Sequence, residues 1–234
     1  MKVLSAEFVA SATDTAGIPR GATPQIALVG RSNVGKSSLI NALTRSKVAR
    51  TSAAAGKTTF LNLYEIHLAG VAAQQDDGAR GPTRRTLYLV DLPGYGYARG
   101  GQRSARAFDA LTRAYFSGQR EHAGRTQRLV TAAILALDAR HPGLERDLDA
   151  YAWLQELQLP LTVVATKVDR MRRAERDRAT LAFQTVMQCP VLLISSVSGE
   201  GLRTLWRAIG AMAWAPGQGE GGDGGEEGEE GEGG

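Results

Sequence analysis

The 234-residue chain has one cysteine, three histidines and, by count along the sequence, five lysines among its 28 basic residues. A single thiol excludes an internal disulfide and fits a reducing, cytoplasmic setting. Cys189 lies between Gln188 and Pro190 at the start of an apolar run, the setting of an inert, half-buried thiol rather than a nucleophile. His67, His122 and His141 are scattered and show no metal-ligand spacing. No stretch approaches the roughly 20 apolar residues that cross a bilayer, and no long apolar signal segment opens the chain. No membrane partner is therefore expected. Apolar content of 43% at this length is enough for one α/β domain with a sizeable core.

Charge is uneven along the chain. The formal net charge is +4, but Gly217–Gly234 carries seven acidic residues and no basic one. Without it, 28 basic and 17 acidic residues remain, a net of +11. A Gly/Glu-rich segment of this kind cannot bury apolar surface, so residues 216–234 are expected to form a disordered acidic tail. Two arginine runs stand out: Arg99, Arg103, Arg106, Arg113, Arg120, Arg125 and Arg128, then Arg170, Arg172, Arg173, Arg176 and Arg178. Each reads equally well as a phosphate-contacting surface or as a solvated helix face.

Gly30-Arg31-Ser32-Asn33-Val34-Gly35-Lys36-Ser37 fits the phosphate-binding loop G-x-x-x-x-G-K-[ST]. The apolar run Ile26–Val29 precedes it, and Ser38–Leu43 continues with helical character. Glycines let the backbone wrap closely around phosphate, with N–H groups turned inward. Lys36 is placed to reach the β- and γ-phosphates and Ser37 to bind Mg²⁺. Downstream, Leu87–Val90 is an apolar strand ending in Asp91, followed by Leu92-Pro93-Gly94. Asp91 is placed to hold Mg²⁺, directly or through water, and the Gly94 N–H to sense the γ-phosphate. In Gly56-Lys57-Thr58-Thr59, Thr58 is the preferred closing hydroxyl over Mg²⁺ and Thr59 its competitor. Thr166-Lys167-Val168-Asp169 follows another apolar run. A carboxylate at Asp169 can accept from guanine N1–H and N2–H₂, donors that adenine lacks. The Lys167 stem can cover the base plane. Ser195-Ser196, after Val191–Ile194, offers a backbone N–H to guanine O6.

Apolar runs alternate with helical patterns. Strands are expected at Gln25–Val29, Thr59–His67, Thr86–Asp91, Leu129–Leu137, Leu161–Thr166 and Val191–Ser195. Helices are expected at Lys36–Leu43, Ser104–Arg120, Leu144–Leu157, Ala174–Met187 and Leu202–Met212. This predicts an α/β, doubly wound, mostly parallel six-stranded sheet with one antiparallel strand. Residues 1–24 read as a lead-in packed on a domain spanning 25–215, and 69–85 as an enlarged hairpin tip.

The five segments, in this order, resemble the translation-factor-related class of P-loop GTPases, with a Ras-like fold. Gly30–Leu39, Gly56-Lys57-Thr58, Asp91-Leu92-Pro93-Gly94-Tyr95-Gly96-Tyr97-Ala98, Thr166–Asp169 and Ser195-Ser196 together resemble the EngB family, as does the lead-in Phe8–Ala12. The resemblance covers about residues 5–214 and leaves out the tail. It implies a bacterial GTPase needed for assembly of the large ribosomal subunit, with GTP/GDP and pre-ribosomal RNA as partners, Mg²⁺ as cofactor and a monomeric state. The expected nucleotide-binding set is Gly30, Arg31, Ser32, Asn33, Val34, Gly35, Lys36, Ser37, Ser38, Gly56, Lys57, Thr58, Asp91, Leu92, Pro93, Gly94, Thr166, Lys167, Val168, Asp169, Ser195 and Ser196. Lys36, Thr58 and Gly94 are the expected catalytic set. Tyr95 stands where many Ras-like GTPases have a water-orienting Gln, so slow basal hydrolysis is expected. Asn33 matches a P-loop asparagine that coordinates K⁺ in related GTPases; hydrogen-bonded capping of the loop is the open alternative. A GTP-regulated interaction protein in cell division, with negligible catalysis, is the alternative function.

Overall fold

The structure, a computed structural model, describes residues 1–50, 60–69, 84–95, 110–122 and 124–214. The expected loop residues Gly56, Lys57, Thr58 and Thr59 lie outside the described residues. So do Gly96–Ala98, Arg99, Arg103 and Arg106, the hairpin tip at 70–83 and the acidic tail.

Strand β2 (Gln25–Gly30) is buried along its whole length. It pairs in parallel with β4 (Arg84–Asp91) on one side and β7 (Ala132–Asp138) on the other. Parallel pairing continues through β8 (Leu161–Thr166) to β9 (Val191–Leu193). β3 (Leu61–Ala69) runs antiparallel to β4. The main sheet has seven strands rather than six, because Lys2–Ala12 of the lead-in forms β1 and pairs antiparallel with β3. β3 therefore remains the one strand that opposes the rest. β1 hides from pattern reading because its register is interrupted between Val3 and Ser5 and again between Phe8 and Ala10. Each irregularity breaks the period-two alternation that marks a strand.

Alternation along β2 sorts the core into two halves. Ile26 and Leu28 face α1 (Lys36–Thr44) and α5 (Leu202–Ala213), together with Leu39, Leu43, Leu205 and Ile209. Ala27 and Val29 face the opposite layer, with Tyr115 and Phe116 of α2 (described over 110–117), Leu154 of α3 (Glu145–Glu156) and Phe183 of α4 (Arg173–Met187). Helices on both faces of a mostly parallel sheet are the doubly wound arrangement. Trp206 Nε1 donates to Leu43 O at 3.1 Å, tying α5 to the end of α1.

The expected helix Ser104–Arg120 ends early. Past 117 the chain turns at Gly118, and Gln119–His122 (β5) pairs with Arg125–Arg128 (β6) as a separate antiparallel hairpin. Arg120 leaves the basic run altogether: it is 9% exposed, and its Nη1 donates to Gly21 O and Thr23 O, both at 3.0 Å. It clamps the lead-in rather than presenting charge to a partner. Arg128 likewise donates to Leu157 O, and Arg113 lies over the Trp153 ring at 5.8 Å.

Candidate nucleotide site

The site collects at the C-terminal ends of β2, β4, β7, β8 and β9, where a parallel sheet opens to ligands. β2 runs directly into the loop at 30–35. Asn33 adopts φ 61 and Gly35 φ 111, left-handed turns that swing the chain into α1. α1 has no side-chain N-cap bond and no acid in its first turn. Its leading amides and positive dipole end are thus left for an anion. Lys36 is 8% exposed; its Nζ donates to Gly30 O at 3.0 Å and Arg31 O at 3.4 Å. Burial lowers its pKa, against the opposing pull of Asp91.

Asp91 ends β4 beside α1. Ser37 Oγ donates to its Oδ2 at 2.8 Å, while Oδ1 is buried without a hydrogen-bond partner. Burial raises the Asp91 pKa, opposed by Lys36 and by the Ser37 bond. A hydroxyl beside a carboxylate with one orphaned buried oxygen is a donor set that fits a hard divalent cation.

The segment after β4 docks on the phosphate loop. Ser32 N donates to Tyr95 O at 3.1 Å, and Ser32 Oγ to Gly94 O at 3.2 Å. A Cβ at Gly94 would lie 2.4 Å from Ser32 N, so only glycine permits this approach. Tyr95 OH donates to Asp147 Oδ1 of α3 at 2.8 Å, and Arg31 Nε lies 3.1 Å from the same oxygen.

The base-side residues join the same cluster. Thr166 Oγ1 is within hydrogen-bonding distance of two carbonyls, Val34 O at 2.6 Å and Leu137 O at 2.9 Å, pinning the phosphate loop to β7 and β8. Lys167, at φ 65, donates from Nζ to Asn33 O at 2.5 Å and to Asp138 Oδ2 at 3.0 Å. Burial alone would raise the Asp138 pKa. Bonds from Arg140 and Lys167 overcome it and hold the carboxyl well below the usual range. Asp169 opens outward, and its Oδ1 accepts from Ser195 Oγ at 2.7 Å. Ser195 is fully buried and also accepts from Val197 N at 3.2 Å and Ser198 N at 3.0 Å. The carboxylate of Asp169 is thereby fixed through one lone pair of Oδ1, and the remaining acceptor sites of both oxygens are left for a base.

The structure brings together the described members of the expected set: the loop 30–38, Asp91–Gly94, Thr166–Asp169 and Ser195. Ser196 follows directly, partly exposed. Asn33 is exposed; its carbonyl is engaged by Lys167, while its side chain makes no hydrogen bond among the described residues. Sequence reading missed Asp138 and Asp147. Leu135-Ala136-Leu137-Asp138 repeats the pattern of Leu89-Val90-Asp91, an apolar strand ending in an acid, and that likeness could have flagged Asp138. Asp147 has no such signal; it is an acid in the first turn of α3 whose burial only tertiary contacts reveal.

Ser195→Ala removes the hydroxyl that joins Asp169 to two loop amides. Unmaking these bonds costs about 1–3 kcal/mol. GDP affinity is expected to fall by about tenfold, with a lowered melting temperature. Calorimetric titration and thermal unfolding check both; an unchanged dissociation constant would show that Asp169 is positioned by something else.

This fold and this site define a GTP-binding protein of the Ras-like P-loop class. The family model described as "50S ribosome-binding GTPase" matches residues 25–167. A protein of Geobacillus kaustophilus named "Probable GTP-binding protein EngB" is 35% identical, over 89% of this chain and 97% of its own length. Its namesake from Solibacter usitatus is 38% identical, over 89% and 96%. The chain belongs to the EngB family of GTPases. Among solved structures, Era in complex with MgGDPNP and a piece of 16S ribosomal RNA aligns with a TM-score of 0.60 at 20% identity, over 85% of this chain and 58% of Era. A probable GTP-binding protein engB aligns at 0.52 and 19%, over 81% of this chain and 98% of its own. At these identities the likeness supports the fold. Among the described residues no helix is long and apolar enough to cross a membrane.

Proposed function

We propose that this protein is a slow GTP hydrolase that acts as a nucleotide switch in assembly of the large ribosomal subunit. The observation that carries the nucleotide part is the joining of the two half-sites: Thr166 and Lys167 both bond carbonyls of the phosphate loop, at Val34 and Asn33. Base and phosphate sites then form one rigid unit, so base identity and phosphate binding act together. Ser37 and Asp91, with Thr58 from the loop before β3, are the residues that would hold Mg²⁺. The ion would supply positive charge to the phosphates as charge builds in the transition state. Asn33, with its side chain free of internal hydrogen bonds, is the candidate K⁺ ligand; turnover in KCl against NaCl at equal ionic strength tests it. The slow rate follows from Tyr95, whose hydroxyl is committed to Asp147 and which offers no carboxamide to orient water.

The RNA partner rests on the family's description and on charge. Between the loop 139–142 and α4 lies a cleft of about 460 Å³, with Arg140, Arg170 and Arg178 around Pro142, Met171 and Ala182. Arg140 is paired with Asp138, but Arg170 and Arg178 have no ion pair among the described residues. Free guanidiniums over an apolar floor suit the phosphates and bases of unpaired RNA. Arg176, by contrast, is tied to Glu200 at 2.9 Å.

Co-sedimentation with ribosomal particles tests the proposal. Binding to immature large subunits is expected to be tighter with a non-hydrolysable GTP analogue than with GDP. It should weaken with salt, and Arg178→Glu should flatten that salt dependence by about one phosphate contact. Equal binding in both nucleotide states would overturn the switch. Binding of no ribosomal particle, with retention of a division protein, would turn the assignment to a GTP-regulated interaction protein.

A further inference from the structure

We propose that Asp147 is a positioning residue for the γ-phosphate switch: from α3 it holds Tyr95, and through Tyr95 keeps Gly94 docked on the phosphate loop. The inference rests on the nucleotide-switch function and adds to it a device that fixes the sensor in place.

Three segments meet at one carboxylate oxygen. Asp147 Oδ1 accepts from Tyr95 OH at 2.8 Å and lies 3.1 Å from Arg31 Nε. Arg31 belongs to the phosphate loop, Tyr95 follows the expected γ-phosphate sensor, and Asp147 sits in the first turn of α3. The carboxylate is 2% exposed, and its Oδ2 is buried without a hydrogen-bond partner. A buried charge with half its acceptor capacity unused is costly. Two things offset that cost here: the guanidinium alongside, and the amide dipoles of the helix start on which the carboxylate lies. Glu145, two residues earlier and on a different face of the same helix turn, is exposed, whereas Asp147 is buried.

The anchor itself is stiff. Leu148, Tyr151 and Leu154 of α3 pack into the core behind the sheet. The chain at 92–95 has left β4; Leu92 is still held in the core, its N–H bonded to Leu28 O at 3.1 Å, while Gly94 and Tyr95 are only partly buried. Its backbone meets the phosphate loop through Ser32 N to Tyr95 O, Ser32 Oγ to Gly94 O and a single bridge between Arg31 and Tyr95. Those contacts join two loops to each other. Among the described residues the Tyr95–Asp147 bond is the side-chain hydrogen bond that ties Gly94's neighbour to a core-packed helix, and Arg31 lies against the same atom. Asp147 therefore sets the relative position of the γ-phosphate sensor and the loop that cradles the phosphates. It also explains what Tyr95 does in a position that lacks a water-orienting side chain: its ring packs against the core and its hydroxyl serves as the anchor point.

A positioned sensor amide strengthens binding only for a ligand that has a γ-phosphate. Loss of the anchor should thus change the preference for a GTP analogue over GDP, rather than nucleotide binding in general. The test uses the full-length protein with Mg²⁺ and titrates GDP and a non-hydrolysable GTP analogue by calorimetry. Wild type, Tyr95→Phe, Asp147→Ala and the double variant are compared. Tyr95→Phe removes one oxygen atom and keeps the ring, so it carries the test should Asp147→Ala fail to fold. The expected result is a GDP affinity within about twofold of wild type and a five- to tenfold loss of the analogue-to-GDP preference in each single variant. The double variant should be no worse than the worse single variant, because both remove the same bond. A purely structural role would lower the melting temperature and leave the preference untouched. An unchanged preference in Tyr95→Phe, or additive losses in the double variant, would overturn the proposal. Failure of the wild type to bind GDP at all is a separate outcome, which sinks the nucleotide reading itself.

Discussion

Asp169→Asn is expected to lower GDP affinity by about 10³-fold and to raise affinity for xanthosine diphosphate above it. A carboxylate accepts two hydrogen bonds, and guanine offers two donors, N1–H and N2–H₂. Xanthine carries a carbonyl where guanine has the amino group, so it presents a donor and an acceptor and meets a carboxylate poorly. An amide side chain presents an acceptor and a donor, the complement of xanthine. A buried pairing that is lost leaves polar groups unmatched, and sites built on such pairings discriminate by about 10⁴–10⁵. The local structure makes the swap clean. Ser195 Oγ donates to Asp169 Oδ1 at 2.7 Å, and an asparagine carbonyl can accept that same bond, leaving its NH₂ turned toward the base. Thr166 and Lys167 keep their bonds to Val34 O and Asn33 O, so the phosphate side is undisturbed. Calorimetry with guanosine, xanthosine and adenosine diphosphates reads the outcome. GDP affinity within threefold of wild type would mean that Asp169 does not read the base.

The clustering of the groups proposed to read the base and bind phosphate was legible in the sequence because each is a short run of fixed spacing at the end of an apolar strand. Backbone geometry alone then sets where Lys36, Asp91 and Asp169 fall. The supports of those groups were illegible for the opposite reason. Asp138 braces Lys167 across a gap of 29 residues, and Asp147 braces Tyr95 across 52. Neither acid stands in a pattern that depends on its partner. The fold shows the same division. The buried strands β2, β4, β7 and β8 announce themselves by continuous apolar runs, as parallel strands covered on both faces do. β5 and β6 read Gln-Arg-Glu-His and Arg-Thr-Gln-Arg, with no apolar residue to alternate. Their arginines looked like the continuation of a basic helix, and only the contact of Arg120 with Gly21 and Thr23 shows one of them to be internal.

Lys36→Met is expected to weaken nucleotide binding steeply, with affinity for a GTP analogue falling by at least about 100-fold and for GDP, which lacks the γ-phosphate, by at least about tenfold, while the protein still folds. Methionine keeps most of the apolar stem and removes the ammonium. A charge-assisted bond is worth about 1.5–3 kcal/mol, and Lys36 is placed to make one to each of two phosphates. Before nucleotide arrives that ammonium is an electrostatic liability: burial lowers its pKa, and among the described residues the carbonyls of Gly30 and Arg31 and the charge of Asp91 hold it. Its removal transfers the liability to Asp91. That carboxyl is already raised by burial and is relieved by Lys36 and Ser37. Without Lys36 its pKa rises further. A carboxyl with a folded pKa above its unfolded one binds more protons in the folded state. Stability is then greatest below the unfolded value and is lost as pH rises through the folded one. The variant's deficit in melting temperature against wild type should therefore be larger near neutral pH than in mild acid. Mg²⁺ should narrow it at neutral pH, because a cation on the orphaned Asp91 oxygen supplies the missing charge. Thermal melts across pH with and without Mg²⁺, alongside calorimetry with GDP, check the three outcomes together. A variant that binds GDP as tightly as wild type would show that this loop does not hold phosphate through Lys36.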